Sequence, residues 1–528
     1  MKLKRRIGLA YLPGAIPCFE DFGNLPTDIV REDGLVHGEK ASDALDMLIV
    51  PGGSLIESQS VKDGIAQEIL RMAEAGKFVL GICSGLQVLS KATDIGRLSA
   101  TPILRQGLGL LDVEFKPLIC TDRVTATVVG ESFMTHTLGA EVTGFHCHTY
   151  GKMIIHEESR PILVSHVQRV NYHNAPQDIV SGVANKQGNV VGVLIHGLLD
   201  ENPSIIQSIT KSLGIYAEEL AAIRKANSKL KQEMKNEIGI STSIGTQREA
   251  VVLPKKPVFL LVAATSSGSG KTFVVSGIAG ALKKRGLNVT VLKIGGDIRD
   301  LVPALYLVKE PMKAYSSIKI GESGWRTLHE VAEETSREYD FILIEGAMNT
   351  FTGLLNEAVA RPSSTAEVAL ALGVPTVLVV SCDKEGIEGA IINAISYAQL
   401  MKRLGVKVKG VILNKARISY LTEKAEALIK RAFNNVGVEL LGVIPRIELE
   451  GRGMIPEIEI RYEDFGIKAL ESVEKYVDLK KLAALAAPIE KGEVDYKLFL
   501  EKFKNSLTSF SPESQEKEKG KHDNRLQV

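Results

Sequence analysis

Nine residues constrain this chain most: Ala264-Thr265-Ser266-Ser267-Gly268-Ser269-Gly270-Lys271-Thr272. An apolar run from Val258 to Ala263 precedes them and reads as a buried parallel strand. Phe273 to Ala279 follow in a pattern that continues as a helix. Strand, glycine-rich turn and helix form the setting of a phosphate-binding loop. Its backbone N–H groups curl round phosphate oxygens, and the helix N-terminus adds positive potential. In such a loop Lys271 reaches the β- and γ-phosphates of ATP and the Thr272 hydroxyl sits on Mg²⁺. The strict pattern carries Gly where this chain has Thr265, so the match is a variant.

A chain of 528 residues has room for roughly two to four domains. Its formal net charge of +1 gives no electrostatic case for nucleic acid or an acidic membrane surface. The five cysteines are an odd number and include no CxxC, which favours a reducing compartment over a disulfide framework or zinc knuckle. The basic start, Met1 to Arg6, leads into an apolar stretch that breaks at Pro13, too soon for a secretory core. No apolar run approaches the length of a membrane span. The expectation is a cytoplasmic protein with no membrane segment.

Residues 1 to about 215 alternate apolar runs with helical patterns, which predicts an α/β fold. Arg6–Tyr11, Asp46–Val50 and Lys77–Leu80 are candidate strands, and residues 62–75 read as an amphipathic helix. The third strand runs into Gly81-Ile82-Cys83-Ser84-Gly85, the form of a nucleophile elbow, with small residues flanking a sharp strand-to-helix turn. There Cys83 would attack a carbonyl, and the N–H of Ser84 with one from Gly52 or Gly53 would hold the oxyanion. A buried packing cysteine is the other reading. The base best placed for Cys83 is His196, at the end of the apolar strand Val190–Ile195. His146 and His148 share a strand face but lack a third ligand at a usable spacing for a metal. Cys18, Cys120, Cys147 and Cys382 are expected to pack.

These motifs together resemble the class I glutamine amidotransferase domain of cobyric acid and cobyrinic acid a,c-diamide synthases. The likeness rests on the opening loop Pro13–Leu25, on Leu45–Gly52, on Gly81–Gln87, on Gly107–Leu111, on Gly144–His148 and on Gly192–Leu198. It covers most of residues 1–205. The resemblance implies that Cys83 attacks the side-chain amide of glutamine, that ammonia leaves from a γ-glutamyl thioester, and that His196 shuttles the proton. Many class I amidotransferases place Glu two residues after this His. Leu198 stands there, so a Cys83–His196 dyad is expected.

Glu218 to Glu237 is charged and helical in pattern, and Ile238 to Arg248 is rich in Gly, Ser, Thr and Gln. This stretch reads as a solvated spacer, with a partner-binding helix as the other reading. Beyond the phosphate loop, Asn288–Leu292 is a strand leading to Lys293-Ile294-Gly295-Gly296-Asp297-Ile298-Arg299-Asp300. Lys293, Asp297 and Asp300 could face a triphosphate and its Mg²⁺, or belong to a plain polar loop. Tyr339–Ile344 is a strand ending in Glu345, where a second Mg²⁺ ligand belongs. Pro375–Val380 and Val408–Leu413 are further strands, and Asn414 after the latter is placed to read adenine.

This half resembles the ATP-binding domain shared by cobyrinic acid a,c-diamide synthase and dethiobiotin synthetase. The likeness rests on the loop variant, on Lys293–Asp300 with Gly296 in place of Pro, on Glu345-Gly346-Ala347-Met348 and on Ser364-Thr365-Ala366-Glu367. It covers about 255–447. The family's Arg-His-Leu-Gly-Leu segment is absent, and Ile455 to Gly466 stands in its place. The domain order is reversed relative to the usual one.

The expected architecture is therefore two α/β domains, each an open, mostly parallel sheet flanked by helices: a flavodoxin-like amidotransferase domain, then a P-loop ATPase domain. The expected limits are 1–215 for the first, 216–252 for the linker, 253–485 for the second, and 486–528 for a C-terminal helix and disordered tail. The resemblance implies glutamine- and ATP-dependent amidation of a corrinoid-like polycarboxylate, with Mg²⁺ on Thr272, Asp297 and Glu345. Three alternatives stay open. One is amidation of a different carboxylate; the second is a dethiobiotin-synthetase-like carboxylation; the third is a nucleotide-switched binding protein without catalysis. A homo-oligomer is compatible with all of them.

Overall fold

The computed structural model describes residues 3–12, 20–55, 57–237, 257–357, 359–449, 460–490, 492 and 494–508. Cys18, Phe19, the connector 238–248, residues 455–459 and the tail beyond Thr508 lie outside the described residues. The chain divides into two compact units. One comprises Met1–Gln247, Gly296–Ser316 and Glu448–Leu470; the other comprises Arg248–Gly295, Ser317–Ile447 and Glu471–Val528. Units and sequence domains thus differ, because two stretches of the second half of the chain cluster with the first unit. Among the described residues no helix is long and apolar enough to cross a membrane.

The first unit is built on a ten-stranded sheet. Its strands are β1 (Ile7–Ala10), β2 (Asp28–Val30), β3 (Met47–Val50), β4 (Phe78–Ile82), β5 (Arg123–Val128), β6 (Glu141–His146), β7 (Ser159–Val170), β8 (His173–Asn185), β9 (Val190–Val193) and β10 (Ile195–His196). The order is β10-β6-β5-β7-β8-β9-β4-β3-β1-β2. From β2 to β9 neighbouring strands are parallel; from β9 outward they are antiparallel. The parallel part carries the expected apolar runs. β1, β3 and β9 are buried along their whole length, as strands covered on both faces must be. In β5 half-buried and buried residues alternate, the pattern of a strand with one solvated side.

Helix α1 (Asp63–Glu74) covers the sheet with Ile65, Ile69 and Met72. Helix α2 (Ser84–Leu89) follows β4 through a single residue, Cys83. Helix α3 (Pro203–Leu213) starts on Pro and stops at Gly214 in the left-handed region, as sequence signals for both ends require. The charged stretch after it does form a helix, α4 (Ala217–Glu237), but it is no spacer. It buries Ile223, Asn227 and Met234 in the first unit. Asn227 Nδ2 donates to the Pro26 carbonyl at 2.8 Å, and Lys231 pairs with Asp21 at 2.8 Å. Ile223, Asn227 and Met234 fall on one helix face; that sparse face suffices for docking, and average composition hides it.

The second unit holds seven strands, all parallel: β11 (Val258–Ala264), β12 (Val289–Ile294), β13 (Ser317–Ile318), β14 (Phe341–Glu345), β15 (Thr376–Ser381), β16 (Val408–Ala416) and β17 (Glu439–Pro445). Their order is β13-β12-β14-β11-β15-β16-β17. β11 is central and buried throughout. The phosphate loop leaves its C-terminal end and enters α5 (Lys271–Lys284). Lys293 on β12 is in register with Glu345 on β14, and Glu345 with Val262 on β11. Parallel strands in this order bring their C-terminal ends, and the polar residues there, to one edge.

Candidate functional site

Cys83 sits at the sharp turn between β4 and α2 with φ 51° and ψ −109°. A side chain in that region is strained by about 1–3 kcal/mol. The turn is held from both sides: Cys83 N donates to Val193 O at 2.7 Å, and Gln87 N donates to Cys83 O at 3.2 Å. The flanking glycines are sterically required. A methyl at Gly81 would stand 2.7 Å from Gly85 O, and one at Gly85 would stand 2.1 Å from Val50 O. The elbow spacing read from the sequence is therefore a packing requirement between the α2 turn and β3.

His196 closes the end of β10 and is fully buried. Its ring stacks on Phe145, centroids 5.3 Å apart. A methyl at Gly52 would lie 2.5 Å from His196 Cε1, and 3.3 Å from both His196 Nε2 and Cys83 Cβ. Gly52, Cys83 and His196 therefore share one wall, as the expected oxyanion strand requires. Ser84 is the first residue of α2, so its N–H lies at a helix N-terminus.

The other ring nitrogen of His196 meets a carboxylate. Glu20 Oε1 accepts from Nδ1 at 2.9 Å, and Glu20 Oε2 accepts from Gly197 N at 3.2 Å. Glu20 is itself buried. The sequence offered no carboxylate for His196, because position 198 is Leu; the structure places one beside it from the loop after β1. Burial acts most strongly on His196 and lowers its proton affinity. Cys83 and Glu20 outweigh it and raise the imidazole to about 10. The next turn supports the loop, because Asp200 accepts from Asp21 N at 2.8 Å and Gly23 N at 2.7 Å. Burial and the neighbouring Glu20 push the Asp200 carboxyl up to about 6.

A strap passes over the nucleophile on the other side. Cys83 Sγ approaches the Cys147 carbonyl at 3.7 Å. His148 pairs with Cys120 and Tyr150 with Leu118, and Gln87 Nε2 donates to Tyr150 O at 2.9 Å. His148 donates from Nδ1 to Leu118 O at 3.0 Å, and burial lowers it to about 4. His146 is likewise held neutral by burial, and the two rings meet edge to face at 4.8 Å. Burial pushes the Cys120 and Cys382 thiols up to about 12, as suits packing residues.

In the second unit the loop Thr265–Gly270 braces itself. Ser269 Oγ donates to Ser266 O at 2.8 Å, and Gly268 and Gly270 occupy the left-handed region at φ 74° and 82°. Lys271 Nζ rests on Met348 O at 3.1 Å. Thr272 Oγ1 donates to Glu345 Oε1 at 2.8 Å, and Lys293 Nζ contacts the same oxygen at 3.0 Å. Glu345 is fully buried, and its Oε2 has no hydrogen-bond partner among the described residues. An orphaned buried carboxylate oxygen is costly. Beside a hydroxyl and a phosphate loop, it fits a hard divalent cation such as Mg²⁺.

Two of the three residues expected on the metal, Thr272 and Glu345, thus meet. The third, Asp297, lies in the stretch that clusters with the first unit and pairs with Arg299 at 3.1 Å. Asn414 is buried, and its Nδ2 donates to Ser269 O at 2.9 Å. It braces the phosphate loop from β16. Thr365 Oγ1 accepts from Ala347 N at 3.0 Å, so the Ser-Thr-Ala-Glu segment supports the turn after Glu345.

Comparison with known proteins matches each half of the chain to a domain family. Residues 6–204 match the CobB/CobQ-like glutamine amidotransferase domain, and residues 260–455 match the CobQ/CobB/MinD/ParA nucleotide binding domain. The chain joins these two domains, amidotransferase first. Hydrogenobyrinate a,c-diamide synthase of Mycobacterium bovis is 32% identical over 236 residues, 43% of this chain and 49% of that protein. The Streptomyces coelicolor protein of the same name is 33% identical over 38% of this chain and 40% of its own. Cobyrinate a,c-diamide synthase of Limosilactobacillus reuteri is 29% identical over 45% and 51%. The chain spans about half the length of the curated relatives it matches. Among solved structures, PurLQS from Thermotoga maritima is 24% identical over 40% of this chain and 100% of its own, with a TM-score of 0.31; at that score it carries no weight.

Sequence reasoning missed three residues of the two domains. Glu20 holds His196 Nδ1 and Gly197 N. Lys415 Nζ donates to Gly268 O at 2.8 Å, and Asn349 Nδ2 holds Thr265 O, both on the phosphate loop. Leu198 signalled that no carboxylate follows His196 locally, but nothing in the sequence pointed to Glu20.

Proposed function

We propose that this protein is an ATP- and glutamine-dependent amide synthase that converts carboxylates of a corrinoid, or a closely related tetrapyrrole, into amides in cobalamin biosynthesis. One observation carries the reading. A Cys83–His196–Glu20 constellation suited to releasing ammonia from an amide stands in the same chain as a phosphate loop with a cation-ready Glu345. The names of the curated relatives support the substrate class.

Cys83 Sγ attacks the glutamine side-chain carbonyl while the N–H groups of Ser84 and of Gly52 or Gly53 take the oxyanion. His196 gives its proton to the leaving nitrogen, and ammonia departs from the γ-glutamyl thioester. His196 then takes a proton from water, whose oxygen attacks the thioester, and glutamate leaves with Cys83 restored. Glu20 keeps the Nδ1 proton in place, so that Nε2 does the transfers. In the nucleotide domain the acceptor carboxylate takes the γ-phosphoryl group of ATP. Neutral ammonia attacks the acyl phosphate, and phosphate leaves. Thr272 and Glu345 would hold Mg²⁺, which supplies charge neutralisation; Lys271 adds a cation at the phosphates. The resemblance also gives Asp297 to the metal. The reducing cytoplasm suits the Cys83 nucleophile.

The test is ADP formation with cobyrinic acid as acceptor. The reading expects ADP release that needs the corrinoid and either glutamine or free ammonia. ADP formed equally without any corrinoid, or none with it, would contradict the substrate assignment.

A further inference from the structure

Arg299 is the best-buried cation of the first unit without a role in the chemistry above. It is 8% exposed. Its Nη1 donates to Thr149 Oγ1 at 2.8 Å, and its Nη2 donates to Tyr172 Oη at 3.1 Å and to Asp297 Oδ1 at 3.1 Å. A guanidinium buried this far needs every partner, and removing one is costly. All four residues belong to the first unit.

What this cation grips is the strap over Cys83. Thr149 is two residues beyond Cys147, whose carbonyl faces Cys83 Sγ. On one side the strap is tied to the chain at Leu118–Cys120: Leu118 N donates to Thr149 O at 3.0 Å, and Cys120 and His148 exchange bonds at 3.0 Å. The side chain of Thr149 is tied by Arg299. Tyr172, the other anchor, sits at a left-handed turn (φ 67°) between β7 and β8. Asn171 beside it exchanges hydrogen bonds with Ile119, the residue before Cys120. Arg299 therefore joins the strap to the turn that backs it.

We propose that Arg299 is a positioning residue for glutamine hydrolysis: through Thr149 it fixes the strap whose Cys147 carbonyl sets the orientation of Cys83. This rests on the glutaminase reading. The consequence is specific. Loosening the strap misplaces the attacking sulfur without removing any group that binds glutamine or moves a proton. Misplacement of about 1 Å can cost on the order of 10²-fold in rate.

The experiment compares the full chain with Arg299→Ala, Arg299→Lys, Thr149→Val and Thr149→Ser. It reads kcat and KM for glutamate release, and the rate of Cys83 alkylation by iodoacetamide, followed on the Cys83 peptide by mass spectrometry. Arg299→Ala is expected to lower kcat by about tenfold to 10²-fold with KM changed by about twofold or less. Thr149→Val, which keeps the cation and its other partners, moves kcat the same way by about threefold to tenfold, and Thr149→Ser restores it. Both altered rates are matched by a changed alkylation rate of Cys83. A fall in melting temperature alone, with native kcat and native alkylation in Thr149→Val and Arg299→Lys, overturns the proposal. If the native protein releases no glutamate, the glutaminase reading fails instead. The alkylation rates then decide whether Arg299 positions Cys83, and unchanged rates overturn it.

Discussion

The two sites differ in how their polar groups are paired. Around Cys83 the groups engage one another: the thiol under the strap, His196 between Cys83 and Glu20, and Glu20 on Gly197. In the nucleotide domain Asn414, Lys415 and Asn349 hold carbonyls of the phosphate loop, Lys271 lies on a carbonyl of Met348, and Glu345 Oε2 has no hydrogen-bond partner among the described residues. A nucleophile that must react with a neutral amide can be organised in advance, because its charges compensate each other. A site for a polyanion and a cation cannot be so organised without holding uncompensated charge.

That contrast predicts which substitutions abolish which half-reaction. The largest effect is at Cys83. Cys83→Ala should lower glutamine-supported amidation by at least about 10³-fold while free ammonia still supports it, measured by amide formation with either nitrogen source. Lys271→Ala should reduce amidation with both sources, by about 10²-fold or more, while glutamate release persists. Equal loss of glutamate release would break the separation of the two sites.

Glu20→Gln keeps the shape but removes the charge behind His196. It should lower glutamate release by on the order of 10²-fold and lower the proton affinity of His196, followed by imidazole NMR. The sign of the stability effect follows. A histidine at about 10 in the folded state against 6.5 unfolded contributes stability fully present below about 6.5 and lost as pH rises through about 10. The melting-temperature gap between native and Glu20→Gln protein should therefore open as pH falls from about 10 to about 6.5. The smallest effect is at Lys415, which props Gly268 from outside the loop. Lys415→Ala should weaken nucleotide binding by about threefold to tenfold, with glutamate release unchanged.

What could be read in advance divides by locality. Cys83 between Gly81 and Gly85, and Lys271 after Gly270, are short-range patterns whose geometry is dictated by a few neighbouring residues, so their spacing carried both sites. Glu20 meets His196 across 176 residues, and no local pattern encodes that meeting. Helix α4 was legible as a helix but not as a docked one, because Ile223, Asn227 and Met234 are diluted among charges. Asp297 follows a strand end as a metal ligand should, and one of its oxygens pairs with its neighbour Arg299. The antiparallel run from β8 to β10 extends a sheet whose parallel part was expected from its apolar strands.

The most direct test of the account is transfer of nitrogen. Cobyrinic acid would be incubated with the full chain, Mg-ATP and amide-¹⁵N-glutamine, and the corrinoid analysed by mass spectrometry, with Cys83→Ala run in parallel with and without free ammonia. The account predicts ¹⁵N in the corrinoid, its loss in Cys83→Ala, and unlabelled amide restored there by free ammonia. An unlabelled, unamidated corrinoid, with the nucleotide bound and Cys83 intact, would contradict it.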